Sequence, residues 1–275
     1  MTMAVNMNMN MDMKMSMIRN IRMIGSGEKT LVLSHGYGGS QAIWEKVIPF
    51  LSERYQLLLF DWDFSGSGSG LVLHPSNYSF AAFADDLVSL VDEMGLKATI
   101  FVGHSMAGMI GCIASIKRPD LFRHLVLIGA SPRYLNTEDY EGGFEREEVD
   151  NLFSYIQSDF HAWGKSFVAL AVGVNDPNSV EILGKSFHNM RPEVALMVAR
   201  SIFLSDNRDI LDKVEVSCTI IQVANDFAVP LSVGHYMQSK MKANASLEII
   251  ESDGHLPQLT AHHMLLAILD KVLII

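Results

Sequence analysis

"TIFVGHSMAGMIGCIAS", residues 99–115, decides the fold. It opens on β-formers, Thr99 to Gly103, and continues as small and apolar residues at helical spacing up to the stop at Pro119. Ser105 sits at the junction. A strand that runs straight into a helix is the unit of a parallel sheet. A polar residue at that turn stands at the carboxyl edge of the sheet, where such folds bind ligands. The turn must be tight, so its neighbours must be small. Gly103 lies two residues before the serine and Ala107 two after, a slightly relaxed form of the G-x-S-x-G nucleophile elbow.

The same rhythm extends in both directions. "TLVLSHG" (30–36), "YQLLLFDW" (55–62), "ATIFVG" (98–103), "HLVLIGA" (124–130), "VSCTIIQVAND" (216–226) and "ASLEIIESDGH" (245–255) read as strands. "AIWEKVIPFLSE" (42–53), "SFAAFADDLVSLVDEMG" (79–95), "SMAGMIGCIASIKRP" (105–119) and "HHMLLAILDKVLI" (262–274) read as helices, with Ser79 as an N-cap and Gly95 as a stop. This β–α alternation predicts an α/β fold with a mostly parallel sheet. It breaks between 133 and 203, which holds only helical patterns and many aromatics. The expected organisation is a core of 21–132 and 204–275, a helical insertion over 133–203, and a low-complexity tail over 1–20. That tail, "MTMAVNMNMNMDMKMSM", alternates Met with polar residues and lacks the unbroken apolar run expected of a signal peptide.

Composition narrows the function. Among 275 residues, 31 acidic side chains outnumber 21 Lys and Arg, a net charge of −10. A nucleic-acid or anionic-membrane surface is therefore not expected. No eighteen-residue apolar window suggests a membrane span. The two cysteines, Cys112 and Cys218, lie in apolar segments and read as buried thiols, not as a disulfide or a zinc site. "SGSGSG" (65–70) lacks the GK[ST] of a P-loop and reads as a loop. Asp85 and Asp86 are adjacent on a helix and read as solvated, and His262-His263 as solvent-facing.

Three polar residues follow successive strands: Ser105, Asp226 and His255. Serine, acid and histidine in that chain order match the α/β-hydrolase arrangement. A serine hydroxyl is a weak nucleophile until a histidine takes its proton. A carboxylate on the other ring nitrogen fixes the tautomer and stabilises the imidazolium. The early "SHGYGG" loop (34–39) and the residue after the serine supply candidate oxyanion donors, the N–H groups of Tyr37 and Met106. No cofactor and no metal is called for.

From Met23 onward the chain resembles the plant DWARF14/KARRIKIN-INSENSITIVE family of α/β-hydrolases, receptors for strigolactones and karrikin-type butenolides. The stretches that carry the resemblance are "GHSMAGMIGCIASIKRPDLF", "LIGASPRYLNTEDYEGGFE", "NMRPEVAL", "IFLSDNRDIL" and "SDGHLPQLTA". "FDWDFSG" and "GHSMAGM" look most like its divergent DWARF14-like branch. The resemblance implies an α/β-hydrolase core with a four-helix V-shaped lid over an apolar pocket. Its lining would be Tyr37, Met106, Tyr134, Phe144, Leu152, Trp163, Phe167, Phe203 and Ala228. It also implies a small strigolactone-like or butenolide ligand, slow hydrolysis or signalling through an F-box protein, a monomer, and a cytoplasmic and nuclear location. A general carboxylesterase is the third reading. Tyr37, Met106 and His188 depart from the family's usual phenylalanine, valine and phenylalanine, and Tyr37 is expected to bring a hydroxyl into the pocket.

Overall fold

The computed structural model describes residues 17–66, 73–241 and 245–273. Seven strands form one sheet in the order β1-β3-β2-β4-β5-β6-β7. They are β1 (Ile18–Ile24), β2 (Thr30–Ser34), β3 (Gln56–Trp62), β4 (Thr99–His104), β5 (Phe122–Ile128), β6 (Ser217–Asn225) and β7 (Ala245–Asp253). β1 pairs antiparallel with β3; every other pair is parallel. β4 is buried along its whole length, as expected of a central strand covered on both faces.

Ten α-helices accompany the strands among the described residues: α1 (Ile48–Leu51), α2 (Phe80–Glu93), α3 (Met106–Lys117), α4 (Arg146–Ser158), α5 (Phe160–Val172), α6 (Pro177–His188), α7 (Pro192–Phe203), α8 (Leu231–Lys240), α9 (Pro257–Thr260) and α10 (His262–Val272). Ser79 caps α2, its Oγ accepting from the Ala82 N–H at 3.2 Å. α3 stops at Lys117, before Pro119, because a residue ahead of proline is pushed out of the helical region. α2 and α3 pack on each other, α3 lies on β4 and β5, and α8 lies on β6 and β7. None of these helices is long and apolar enough to cross a membrane.

Four helices, α4 to α7, stand between β5 and β6. α4 pairs with α7 and α5 with α6, and the two pairs meet along α4 and α5. The sequence reads as one continuous helical pattern across α4 and α5. Asp159 divides it: its carboxylate accepts the Ala162 N–H at 2.9 Å and caps a new helix. Asp176 caps α6 in the same way and also meets Lys46 and the Ser179 hydroxyl, contacts that hold its carboxyl down at about 2.

Three expectations change. The tail predicted over 1–20 overlaps the fold, since β1 starts at Ile18 and Met17 is buried; residues 1–16 lie outside the described residues. The helix predicted over 42–53 is a 3-10 turn at Gln41–Trp44 followed by the short α1. Pro49 has no N–H to donate, so a helix tolerates it only in its first turn and restarts there. Asp86 is not solvated. It is partly buried and accepts the Met17 N–H at 2.7 Å, and burial raises its carboxyl to about 6. In the "SGSGSG" loop, 67–70 lie outside the described residues.

Candidate active site

The carboxyl ends of β2, β4, β6 and β7 deliver the loops that matter. Ser105 follows β4 with φ 56° and ψ −124°, a conformation that L residues avoid. Two features hold it there. The Ser105 N–H donates to the Ile128 carbonyl of β5 at 2.7 Å. Gly103 lets the returning helix come close, since a Cβ there would lie 2.8 Å from the Ala107 carbonyl and 2.5 Å from the Phe101 ring. The second small position, Ala107, is fully buried and fits as alanine.

His255 follows β7. Its Nδ1 lies 2.6 Å from Asp226 Oδ2, and the Asp226 side chain has no solvent exposure. Asp226 Oδ1 accepts the Ala228 N–H at 2.8 Å. Because a carboxylate only accepts, Nδ1 carries the proton and Nε2 is left as a lone pair. His255 and Ser105 line the same cavity.

The loop after β2 contributes Tyr37. His35 braces this loop from a fully buried position: Nδ1 donates to the Gly36 carbonyl at 2.9 Å, and Nε2 accepts the Trp62 N–H at 3.0 Å. Burial keeps that imidazole below its ordinary pKa, in keeping with a neutral ring. Among the described residues, no protein group accepts the backbone N–H of Tyr37 or of Met106. Both are thus available to a developing oxyanion.

The cavity is small, with an enclosed volume of about 30 Å³. Of the residues expected to line it, Tyr37, Tyr134, Phe167, Phe203 and Ala228 do so. Tyr134 lines the cavity together with the serine, and burial pushes its pKa up. Phe144, Leu152, Trp163 and the Met106 side chain do not line it. Trp163 stands behind the wall, packed on Tyr37, Phe167 and Phe187 with ring centroids 5.2–6.1 Å away. Phe144 backs Tyr134 and Phe203. Leu152 and Met106 pack into the core. Helical spacing shows that the insertion is aromatic but not which ring of a helix reaches the void.

Other lining residues escaped sequence reasoning: His104, Leu183, Ile202 and Phe227 among them. Phe227 had a signal, being next to Asp226, and its ring meets His255 edge-on at 6.1 Å. His104 is fixed by donating Nε2–H to the His255 carbonyl at 2.8 Å, and burial holds its pKa well down. The expected pocket hydroxyl of Tyr37 is not in the pocket. It donates to the Ala195 carbonyl of α7 at 2.8 Å. His188 lies on the outer side of the lid beside His161, away from the cavity. Cys112 and Cys218 are buried, and burial raises both thiols, Cys218 to about 12, so neither is a nucleophile.

A serine on a strained strand-to-helix turn, beneath an inserted helical lid, defines the class. Residues 29–171 match the alpha/beta hydrolase fold family, and the chain is an α/β-hydrolase. A hydrolase from Oleispira antarctica shares the fold with a TM-score of 0.86 and 28% identity, over 92% of this chain and 94% of that one. The chain is 40% identical to strigolactone esterase D14 of Arabidopsis thaliana over 92% of its own length and 96% of the relative's. It is 40% identical to the karrikin insensitive 2 receptor CA of Petunia hybrida, over 91% and 93%. It belongs to this family of strigolactone esterases and karrikin receptors.

Proposed function

We propose that this chain is a slow serine hydrolase of butenolide lactones, with Ser105 as nucleophile, His255 as base and Asp226 as its orienter. The observation that carries the reading is the 2.6 Å contact between a buried carboxylate and His255 Nδ1, beside a strained serine in the same apolar cavity. Ser105 Oγ attacks the lactone carbonyl while its proton passes to His255 Nε2. The N–H groups of Tyr37 and Met106 hold the oxyanion. The intermediate collapses, the ring C–O bond breaks, and an acyl-enzyme forms on Ser105. In a strigolactone the freed ring oxygen sits on an acetal carbon. That carbon becomes an aldehyde, and the linked enol is expelled with the proton from His255. Water activated by His255 then cleaves the acyl ester.

The cavity is lined by rings and is small, so a butenolide is admitted only if the lid moves. Turnover limited by that movement makes a poor enzyme and a usable sensor. A fluorogenic butenolide ester tests the reading. Wild type should release the fluorophore, and Ser105→Ala should not. Equal release by both would end the serine-hydrolase reading.

A second reading, a ligand-activated receptor that recruits an F-box protein, is favoured by relatives named as receptors. It predicts ligand-dependent capture of an F-box partner by both wild type and Ser105→Ala. Capture that is independent of ligand, or absent, counts against it.

A further inference from the structure

Lid helix α5 ends against the loop that carries His255. The last carbonyls of a helix have no partner within it. One of these, on Ala171, accepts the His255 N–H at 2.7 Å. Gly173 closes the helix in the left-handed region, φ 69°, its N–H donating to the Ala169 carbonyl at 3.1 Å. Opposite it lies Gly254, φ 89°, whose N–H donates to the Asn225 carbonyl at 3.0 Å, next to Asp226. Neither glycine has room for a side chain. A Cβ on Gly173 would lie 2.5 Å from Gly254 Cα, and one on Gly254 would lie 2.2 Å from the Val172 carbonyl oxygen. Lid backbone thus rests directly on the backbone of the histidine loop.

We propose that Gly173 and Gly254 are positioning residues for hydrolysis. By letting α5 dock on the His255 loop, they align the base with Ser105 only while the lid is seated. The proposal rests on the serine-hydrolase reading above. It adds that the lid controls chemistry through the base, and not merely by roofing the cavity. The C-terminal end of α5 carries partial negative charge, and it lies beside the residue whose ring becomes cationic when it takes the serine proton. A lid that opens to admit ligand withdraws both supports, so acyl transfer waits for closure.

The test uses the full-length protein and 4-nitrophenyl acetate, a chromogenic ester whose leaving group reports acyl transfer directly. Gly173→Asn keeps the cap, because asparagine tolerates the left-handed region, but its Cβ meets Gly254. Gly173→Asn and Gly254→Ala should each lower kcat by about a hundredfold, the effect of displacing a reacting group by about an ångström. KM should stay within about twofold of wild type, as expected when only transition-state alignment is lost. Gly184→Ala, at a lid glycine with nothing within 4 Å of an added Cβ, should keep wild-type kcat. Wild-type kcat in both loop variants, or a raised KM with kcat unchanged, overturns the proposal. Hydrogen exchange on the wild-type protein gives a readout free of folding defects. The His255 amide should exchange together with the last turn of α5; exchange in step with Ile250 in β7 would overturn the proposal as well. If Ser105→Ala retained turnover, the hydrolase reading would fail while the exchange result stood.

Discussion

The loop after β4 and the loop after β7 each end on a residue of the candidate triad, but different parts of the molecule hold them. The elbow at Ser105 is tied to β5 through its own N–H and wedged by α3 against Gly103, all within the core. His255 hangs between Asp226 on the core side and Ala171 on the lid side. The loop after β2 resembles the histidine loop: His35 anchors it in the core, and the Tyr37 hydroxyl ties it to α7. A candidate nucleophile set in the core can be strained and still stay put. On the proposed reading, a base and an oxyanion donor shared with the lid take up their places only when the lid does.

Four substitutions probe that contrast. The largest effect is expected at the core-side tie of the base. Asp226→Asn leaves the ring in place but offers it the wrong tautomer, and kcat for a butenolide ester should fall by about 10³–10⁴-fold. A loss under tenfold would mean that the lid contact alone orients His255. Next comes the elbow. Gly103→Ala pushes a methyl into Phe101 and the Ala107 carbonyl, and should cost about 1–3 kcal/mol in denaturant unfolding, with activity lost in step. Unchanged stability would show that the elbow is not wedged.

Tyr37→Phe removes one hydrogen bond between lid and core while keeping the ring that packs on Trp163, Phe167 and Phe187. A net loss of about 1 kcal/mol is expected, read as a several-fold drop in kcat. Wild-type turnover would remove α7 from the comparison. The smallest effect lies far from the site. Asp86 titrates at about 6 when folded and near 3.8 when unfolded, so the folded state holds the extra proton between those values. Stability from this group is full below about pH 4 and is lost as pH rises through about 6. Asp86→Asn should flatten that slope, with a gain of roughly 1 kcal/mol at pH 7.5 and none at pH 4, after allowance for its partial exposure. An unchanged slope in thermal melts between pH 4 and 7 would refute it.

Where local chemistry sets the structure, the sequence was legible. The β4 run, the Ser79 cap and the Pro119 stop each follow from neighbouring residues. β1 was hidden because its alternation is broken. A bulge between Arg19 and Arg22, with Asn20 at φ 53°, puts Ile18 and Ile21 on the buried side three residues apart. Asp86 was misread for a related reason: its partner, Met17, is remote in the chain. Trp163 was placed in the pocket by the family resemblance, which matches a position in the chain and not the direction in which its helix points the ring.

By itself, the sequence determined the strand-edge placement of Ser105, Asp226 and His255 and the presence of an aromatic helical insertion. Both depend on patterns a few residues long. Tertiary structure decided which rings reach the cavity, that the Tyr37 hydroxyl serves the lid, and that α5 carries part of the hold on His255. Those outcomes depend on backbones meeting across long chain separations, where a glycine at Gly173 or Gly254 matters only through what packs against it.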